Sequence, residues 1–317
     1  MRRFLKRLFL FASIPCSVAV LWTAFVVVMD YRSYTQALPL ADGETVVVCE
    51  DSQTKDALDP SVIEGLRNYS AAATTCDQDA MRLSDVLAAN RGRVRFVLLD
   101  ASPLEIGHDM SRPISQLNAS RVHLLLHVYH LRDNRRPFGS VAALWRDVVF
   151  TRKFNEFRKS ILRRKPWRSS MAGGFDPDST KGFTNAKYRQ AAMEDVAEKA
   201  ARVNGRPPAA GGLPFFANLK EQVASVRAAG AVPVITTMPL SGHLRRAITP
   251  DRLAAFTREV GALAKRLDVV YMDYLGLDLP EDCWHDSNHL NRDGAATFSR
   301  RFNADFRKRV VGGQPAQ

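Results

Sequence analysis

Apolar runs at four places along the chain have the length and β-branched content of buried strands. Segments with apolar positions at helical spacing lie between and beyond them and predict helices. Strands that alternate with helices indicate a parallel sheet covered on both faces, a three-layer α/β/α sandwich. The predicted strands are residues 44–49, 94–99, 231–237 and 269–272. The predicted helices are residues 60–66, 81–90, 216–229, 253–267 and 292–309. In such sheets ligands bind at the carboxyl ends of the strands, so chemistry is expected in the loops that follow them.

The alternation stops between about residues 115 and 206, where strand signals are few and a Gly/Pro-rich loop ends the segment. We interpret this stretch as a helical insertion and not as a separate domain. The predicted α/β domain covers residues 44–311, with a connector at 31–43 before it and a short tail at 312–317 after it.

The N-terminus combines a basic cluster with a long apolar run. Four Lys and Arg residues among the first seven precede 22 residues without a formal charge, from Leu8 to Met29. At ~1.5 Å per residue this run is long enough to cross a ~30 Å hydrocarbon core. The flanking positive charge predicts a cytoplasmic N-terminus. Residues 1–30 therefore read as an uncleaved, single-pass signal-anchor in the cytoplasmic (inner) membrane, with the rest of the chain in the periplasm.

Three other interpretations of this run are less favoured. A signal peptide cleaved at the small-x-small sequence 17–19 would leave a mature chain that begins with the apolar stretch from Val20. A lipoprotein modified at Cys16 is disfavoured because Pro15 occupies a position where a small residue is expected. A buried helix of a soluble protein does not suit the length of the run and its abrupt basic boundary.

The net charge of +12 is concentrated in two segments. The first seven residues carry +4 and residues 132–168 carry +9, so the rest of the chain is nearly neutral. In the second segment, Arg and Lys alternate with aromatic and aliphatic residues, as in a basic amphipathic helix that ends at Pro166. An extracytoplasmic domain is not expected to bind nucleic acid, so anionic lipid headgroups or an anionic glycan are the predicted partners. The plain alternative is a solvated surface. The residues expected to contact substrate or membrane are Arg158, Lys159, Arg163, Arg164 and, near the other end of the chain, Trp284.

Two short blocks carry the chemistry. Ser52 follows the first predicted strand, and Asp286 and His289 stand three residues apart shortly before the last helix. In a tight turn this spacing lets the carboxylate accept a hydrogen bond from one imidazole nitrogen while the other nitrogen faces a nucleophile. A serine opposite that imidazole would complete an acyl-transfer triad, with its own backbone N–H as an oxyanion donor.

These blocks resemble those of the SGNH/GDSL hydrolase superfamily, in particular its membrane-anchored bacterial branch of DltD-like and alginate-acetylation proteins. Residues 50–52 (Glu-Asp-Ser) stand where the family has Gly-Asp-Ser, and residues 286–291 match its Asp-x-x-His block. The resemblance covers about residues 44–110 and 213–311 and implies a flavodoxin-like sheet with Ser52 as nucleophile. It also implies a second oxyanion donor, the backbone N–H of Ala73, in the block at residues 68–74.

The third family block departs from the pattern. The family has an Asn after the next strand, whereas this chain continues there as residues 100–105 (Asp-Ala-Ser-Pro-Leu-Glu). Ser102 is the alternative donor. Loss of one oxyanion donor typically costs ~10²–10³-fold in turnover. The resemblance thus implies a serine esterase or O-acyltransferase acting on acyl esters of a cell-envelope polysaccharide, alone or with a membrane-bound acyltransferase. The alternative is a weak or inactive scaffold that binds glycan or a membrane partner.

No cofactor or metal is predicted. His123, His127 and His130 share a possible helix face, but no carboxylate stands at the spacing of a zinc hydrolase, so packing is the preferred interpretation. Outside the apolar run, Cys49, Cys76 and Cys283 allow at most one internal disulfide, and the sequence does not decide which.

Overall fold

The computed structural model describes residues 1–72, 74, 76–106, 157–158, 162, 173–206 and 214–312. Contacts divide the chain into two compact units. One comprises Met1–Ala37 and Ser111–Ala172, and the other Leu38–Met110 and Gly173–Gln317. The last third of the predicted insertion, from Gly173 onward, therefore belongs with the α/β unit.

The α/β unit is built on five parallel strands in the order β2-β1-β3-β4-β5. This confirms the predicted parallel α/β fold. The strands are β1 (Val46–Val48), β2 (Leu66–Asn68), β3 (Phe96–Asp100), β4 (Val232–Thr237) and β5 (Val270–Asp273). β1 and β3 are central and almost completely buried, as their continuous apolar sequences require.

The predicted helix at residues 60–66 is wrong. Residues 60–65 form turns, and β2 begins at Leu66 and pairs with β1. Two local features explain the difference: Pro60 starts the turn, and Gly65 has a φ of +71°, which a helix does not allow. The Leu66–Asn68 strand is only three residues long, too short for a periodicity signal to reveal.

Helices of the α/β unit flank the sheet, and most of the predicted ones begin a few residues before their predicted starts. They are α2 (Ser52–Ala57), α3 (Cys76–Ala89), α4 (Arg189–Asn204), α5 (Pro214–Ala228), α6 (Gly242–Ala247), α7 (Pro250–Leu267) and α8 (Arg292–Phe306), whereas α1 (Arg2–Ala37) belongs to the other unit. A single 3₁₀ turn, Glu281–Cys283, precedes α8, and a π-helical turn, Arg307–Val311, follows it. On α8, Phe298, Phe302 and Phe306 are buried and stack in sequence along one face, which fixes this helix to the core.

In the other unit, α1 contains a segment, Ser13–Ala37, that is long and apolar enough to cross a membrane. Many of its large apolar side chains are exposed, as a lipid-facing helix requires. The ring of Phe157 packs edge-on against Trp22 and Phe25 of α1, at centroid distances of 5.4 and 5.6 Å. Part of the basic segment thus contacts the apolar helix.

Candidate active site

The nucleophile candidate lies on a sharp turn at the carboxyl end of β1. Ser52 is the first residue of α2, and Asp51 caps this helix by accepting hydrogen bonds from the backbone N–H groups of Gln53 and Thr54, at 2.8 and 3.4 Å. Since the first N–H of a helix has no partner within it, the Ser52 N–H is left for another acceptor.

The turn is fixed by Gln53, whose buried side chain spans two neighbouring loops. Its amide nitrogen donates to the Pro239 carbonyl after β4 (3.0 Å), and its amide oxygen accepts from the Ser102 hydroxyl after β3 (3.2 Å). The Ser102 hydroxyl also accepts from the N–H of Leu104. Ser102 is therefore buried and fully engaged, although the sequence placed it among the oxyanion donors.

The loop that carries the Asp-x-x-His block is closed at its base by local contacts. Trp284 and Leu290 form an antiparallel bridge, and the N–H of His285 donates to the carbonyl of His289. Asn291 then caps α8, and its side-chain amide also donates to Asp282. Gly294 is required here, because a Cβ would lie 2.1 Å from the Cys283 carbonyl oxygen.

A continuous hydrogen-bonded chain links two side chains of this loop to Ser52. The Nδ1 of His289 lies 2.7 Å from Asp286 Oδ2, and the Nε2 of His289 lies 2.8 Å from Ser52 Oγ. The second oxygen of Asp286 accepts from the backbone N–H groups of Asn288 and His289, at 3.0 and 2.9 Å. The carboxylate is thereby held in one orientation, and the imidazole is aimed at the serine.

The electrostatics of this pair suit a general base. Burial acts to raise the pKa of Asp286, but the hydrogen bond and charge of His289, together with the Lys199 ammonium, hold it well below its usual value. Burial alone would lower the pKa of His289; Asp286 overcomes that effect and raises it. The carboxylate is thus ionised and stabilises the imidazolium that a proton transfer would create.

Hydrogen bonds between α8 and the end of α2 fix the distance between the elements that carry Ser52 and His289. The Ser299 hydroxyl on α8 donates to the Ala57 carbonyl at the end of α2 (3.0 Å) and accepts from the N–H of Asp59 (2.9 Å). α2 carries Ser52 and α8 follows the His289 loop, so this contact ties together the two elements that position the pair.

Two charged residues at the site were not predicted from the sequence. Asp195 and Lys199 lie on α4 and pair with each other at 2.8 Å. Asp195 accepts from the backbone N–H and the hydroxyl of Ser287, and Lys199 donates to the Asn288 side chain and lies 4.0 Å from Asp286. Their i, i+4 spacing is visible in the sequence, but nothing local links it to a loop about ninety residues later.

A second set of acidic residues lies close to Ser52 on the sheet side, at the ends of β1 and β3. Burial raises the pKa of Glu50 and of Asp100 well above the usual carboxyl range, and the neighbouring carboxylates add to both shifts. Burial likewise raises the pKa of Glu105 to about 8. Arg82, which is completely buried, pairs with Asp79 and donates to the Cys49 and Glu50 carbonyls.

The remaining predicted site residues are placed as follows. Trp284 is 1% exposed, which fits packing in the interior, the other role open to it, and not contact with substrate. Arg158 is exposed, whereas Ala73, Lys159, Arg163 and Arg164 lie outside the described residues, as do the three histidines at 123, 127 and 130.

The described cysteines form no disulfide. Cys49 and Cys283 are buried free thiols, and the side chain of Cys76 lies outside the described part of the chain. Among the described residues, no group of three or more His, Cys, Asp or Glu side chains is arranged to hold a metal ion.

Comparisons with known proteins find distant structural similarity only. No known family model matches the chain, and no curated protein matches it. Among solved structures, the chain is similar to a candidate acylhydrolase from Bacteroides fragilis, with 13% identity and a TM-score of 0.40, over 88% of this chain and 96% of that one. It is also similar to a Bacillus subtilis protein, with 12% identity and a TM-score of 0.38, over 87% of this chain and 59% of that one.

Proposed function

We propose that the protein is a serine esterase or O-acyltransferase in which Ser52, His289 and Asp286 form the catalytic triad. The observation that carries this proposal is the unbroken chain from Ser52 Oγ to His289 Nε2 (2.8 Å) and from His289 Nδ1 to Asp286 Oδ2 (2.7 Å). The triad stands at the carboxyl ends of parallel strands, where the resemblance to the SGNH/GDSL superfamily also places it. We accordingly propose distant membership of that superfamily.

In the first half of the reaction, His289 Nε2 accepts the Ser52 proton as Ser52 Oγ attacks the carbonyl carbon of an acyl ester. The carbonyl electron pair moves to its oxygen, which becomes a tetrahedral oxyanion. The imidazolium is stabilised by Asp286 and passes its proton to the departing alkoxide as the ester C–O bond breaks. The acyl group is then bonded to Ser52.

In the second half, an acceptor hydroxyl takes the place of the alcohol that has left. His289 removes the proton of the acceptor hydroxyl while the acceptor oxygen attacks the acyl carbon. The proton then passes to Ser52 Oγ as the bond between Ser52 Oγ and the acyl carbon breaks. With water as acceptor the protein is an esterase, and with a sugar hydroxyl it is an acyltransferase. The same side chains serve both outcomes.

The oxyanion requires hydrogen-bond donors on the side of the turn away from His289. The Ser52 N–H at the start of α2 is one candidate, and the Ala73 N–H is the second that the family pattern implies. The engaged hydroxyl of Ser102 favours a second candidate function, a slow or inactive scaffold that binds acylated glycan, because residues 101–106, the described residues after β3, include no Asn or Gln to replace it.

The proposed substrate is an acyl ester of a cell-envelope polysaccharide, reached from the outer face of the cytoplasmic membrane. The apolar helix with its basic N-terminal flank supports this location, with the α/β unit outside. A membrane-bound acyltransferase is the proposed donor partner for the transfer reaction. Protease added to intact spheroplasts should digest the α/β unit; full protection would contradict the orientation.

The triad is tested on the full chain in detergent, by fluorophosphonate labelling and by turnover of an aryl acetate. The parent should be labelled at Ser52, and Ser52→Ala and His289→Ala should lose labelling and at least about 10⁴-fold of kcat. Ser225→Ala, an exposed serine on α5, is the matched control and should behave as the parent. A folded parent that is neither labelled nor active would contradict catalysis and favour the scaffold. Addition of an oligosaccharide acceptor separates the two reactions, because a transferase yields acylated sugar in place of free acid.

A further inference from the structure

The Asp195–Lys199 pair on α4 contacts the loop of the triad at three consecutive residues, 286–288. Asp195 binds both the N–H and the hydroxyl of Ser287. Lys199 donates to the side chain of Asn288 and lies 4.0 Å from Asp286 Oδ1, the oxygen that does not bind the His289 ring. Both partners are mostly buried, at 29% and 14% side-chain exposure, so their contacts are only partly screened by solvent.

α4 is itself anchored at both ends, so it is a fixed support for this loop. Before the helix, the Gly182 N–H donates to the Trp284 carbonyl, and a Cβ on Gly182 would lie 2.0 Å from the His285 carbonyl oxygen. At its C-terminal end, the Asn204 side chain binds the backbone of α6 and of the residue before α7. One side of α4 is buried through Ala192, Val196, Ala200 and Val203.

We propose that Lys199, held by Asp195, is a positioning residue that fixes the Asp286–Asn288 segment so that His289 reaches Ser52. This inference rests on the proposed esterase or acyltransferase function. The hydrogen bonds and ion pairs of Lys199 go to Asp195, Asn288 and Asp286, so Lys199 positions His289 through the loop, and only its charge acts on the His289 ring. Its residue type matters because a compact ammonium can serve the Asp195 carboxylate and the Asn288 carbonyl oxygen together.

The charge of Lys199 also bears on the basicity of His289. The charged groups that face His289 are Asp286 on its own loop, Lys199 from α4, and Asp51 and Asp56 on either side of the nucleophile. Burial lowers the pKa of His289 and Asp286 raises it, while Lys199 opposes Asp286. Removal of the Lys199 charge should therefore raise the pKa of His289. Since the base must be neutral to accept the Ser52 proton, the acid limb of the pH–rate profile should move to higher pH.

The test compares Lys199→Met, Lys199→Arg and the exposed control Lys220→Met in the full chain in detergent. Lys199→Met should lower kcat by about tenfold to a hundredfold with little change in KM, because residues 286–288 are no longer held in position. The acid limb of its pH–rate profile should move to higher pH. Lys199→Arg should restore the acid limb and part of kcat, and Lys220→Met should match the parent. A Lys199→Met enzyme with the parent's kcat and pH profile would overturn the proposal.

A readout that does not depend on turnover separates this proposal from the proposed function. NMR titration of the His289 ring in the parent and in Lys199→Met should give a higher midpoint in the variant, with equal melting temperatures excluding unfolding. If the parent is inactive and unlabelled, the proposed function fails, and the titration still decides whether Lys199 acts on His289. Identical midpoints would overturn the electrostatic part even in an active enzyme.

Discussion

Two groups of acidic side chains flank Ser52, and the same chemical group has opposite properties in them. On the loop side, Asp286 has two backbone N–H donors, an imidazole partner and the nearby Lys199, and its pKa is held low against the effect of burial. On the sheet side, Glu50 and Asp100 are buried near other carboxyl groups, and their pKa values are raised. A charged carboxylate near the serine thus depends on the donors that the fold supplies, not on its distance from solvent.

The difference assigns separate tasks to the two sides. The loop side keeps a negative charge where a positive one must form during proton transfer. On the sheet side, burial raises the pKa values of Glu50 and Asp100, which disfavours negative charge at the buried ends of β1 and β3. Arg82 supplies the one fully buried cation among the described residues there, and it pairs with Asp79.

The largest effect is expected when the loop side loses its charge. Asp286→Asn keeps the size of the side chain but removes the acceptor that fixes the His289 tautomer, so kcat should fall by about 10⁴-fold. With the main cause of its raised pKa gone, His289 should also become less basic, and the acid limb of the remaining activity should move to lower pH. Steady-state rates from about pH 5 to 9 measure both effects.

The matched substitution on the sheet side is Asp100→Asn, which should keep most of the activity. Asp100 does not contact His289, and its pKa is already raised well above the ordinary range. Equal losses of kcat in Asp286→Asn and Asp100→Asn would contradict the distinction between the two sides, because both carboxyl groups would then be needed for turnover.

The next effect concerns stability and tests the buried cation. Arg82→Met removes the partner of Asp79 and the donor to the Cys49 and Glu50 carbonyls in a completely buried position. We expect a loss of about 3–5 kcal/mol in the free energy of unfolding, since an uncompensated buried charge is left behind. Urea unfolding followed by tryptophan fluorescence measures it.

The double variant Arg82→Met with Asp79→Leu is the control for this loss. It removes both charges, so it should recover most of the lost stability. A double variant as unstable as Arg82→Met alone would show that packing of the arginine stem, not its charge, supports this side of the site.

The sequence was sufficient for the fold because the strands of this sheet are buried and their signal is local. Residues 46–48 and 96–99 are continuous apolar runs, and the structure places them in β1 and β3 at the centre of the sheet. β2 was missed for the opposite reason. It has only three residues, one of them Arg67, and it follows turn residues that resemble a short helix in composition.

The candidate site divides in the same way. Ser52, Asp286 and His289 are recognisable because each block follows or precedes a strong element and has its own local spacing. Lys199 and Asp195 act through a tertiary contact between α4 and the loop, which no local pattern records. The engagement of Ser102 by Gln53 has the same origin, because it depends on how the turns after β1 and β3 meet in space.

The last effect is a pH dependence of stability caused by Glu105. In the folded protein, burial raises the pKa of Glu105 to about 8 from an ordinary 4.5. Between these values the unfolded chain has released the proton that the folded protein still holds. Stability from this group is therefore present below the lower value and is lost as the pH rises, by up to about 1.4 kcal/mol per pH unit.

The variant Glu105→Gln removes this titration. The free energy of unfolding of Glu105→Gln, relative to that of the parent, should therefore increase from about pH 5 to 8. Glu198→Gln, at an exposed position on α4, should keep the parent's slope. Because Glu50 and Asp100 are present in both proteins, their contributions largely cancel in the difference. Parallel profiles for the parent and Glu105→Gln would show that Glu105 ionises normally in the folded protein, and Glu105 would then no longer differ from Asp286 in the way proposed.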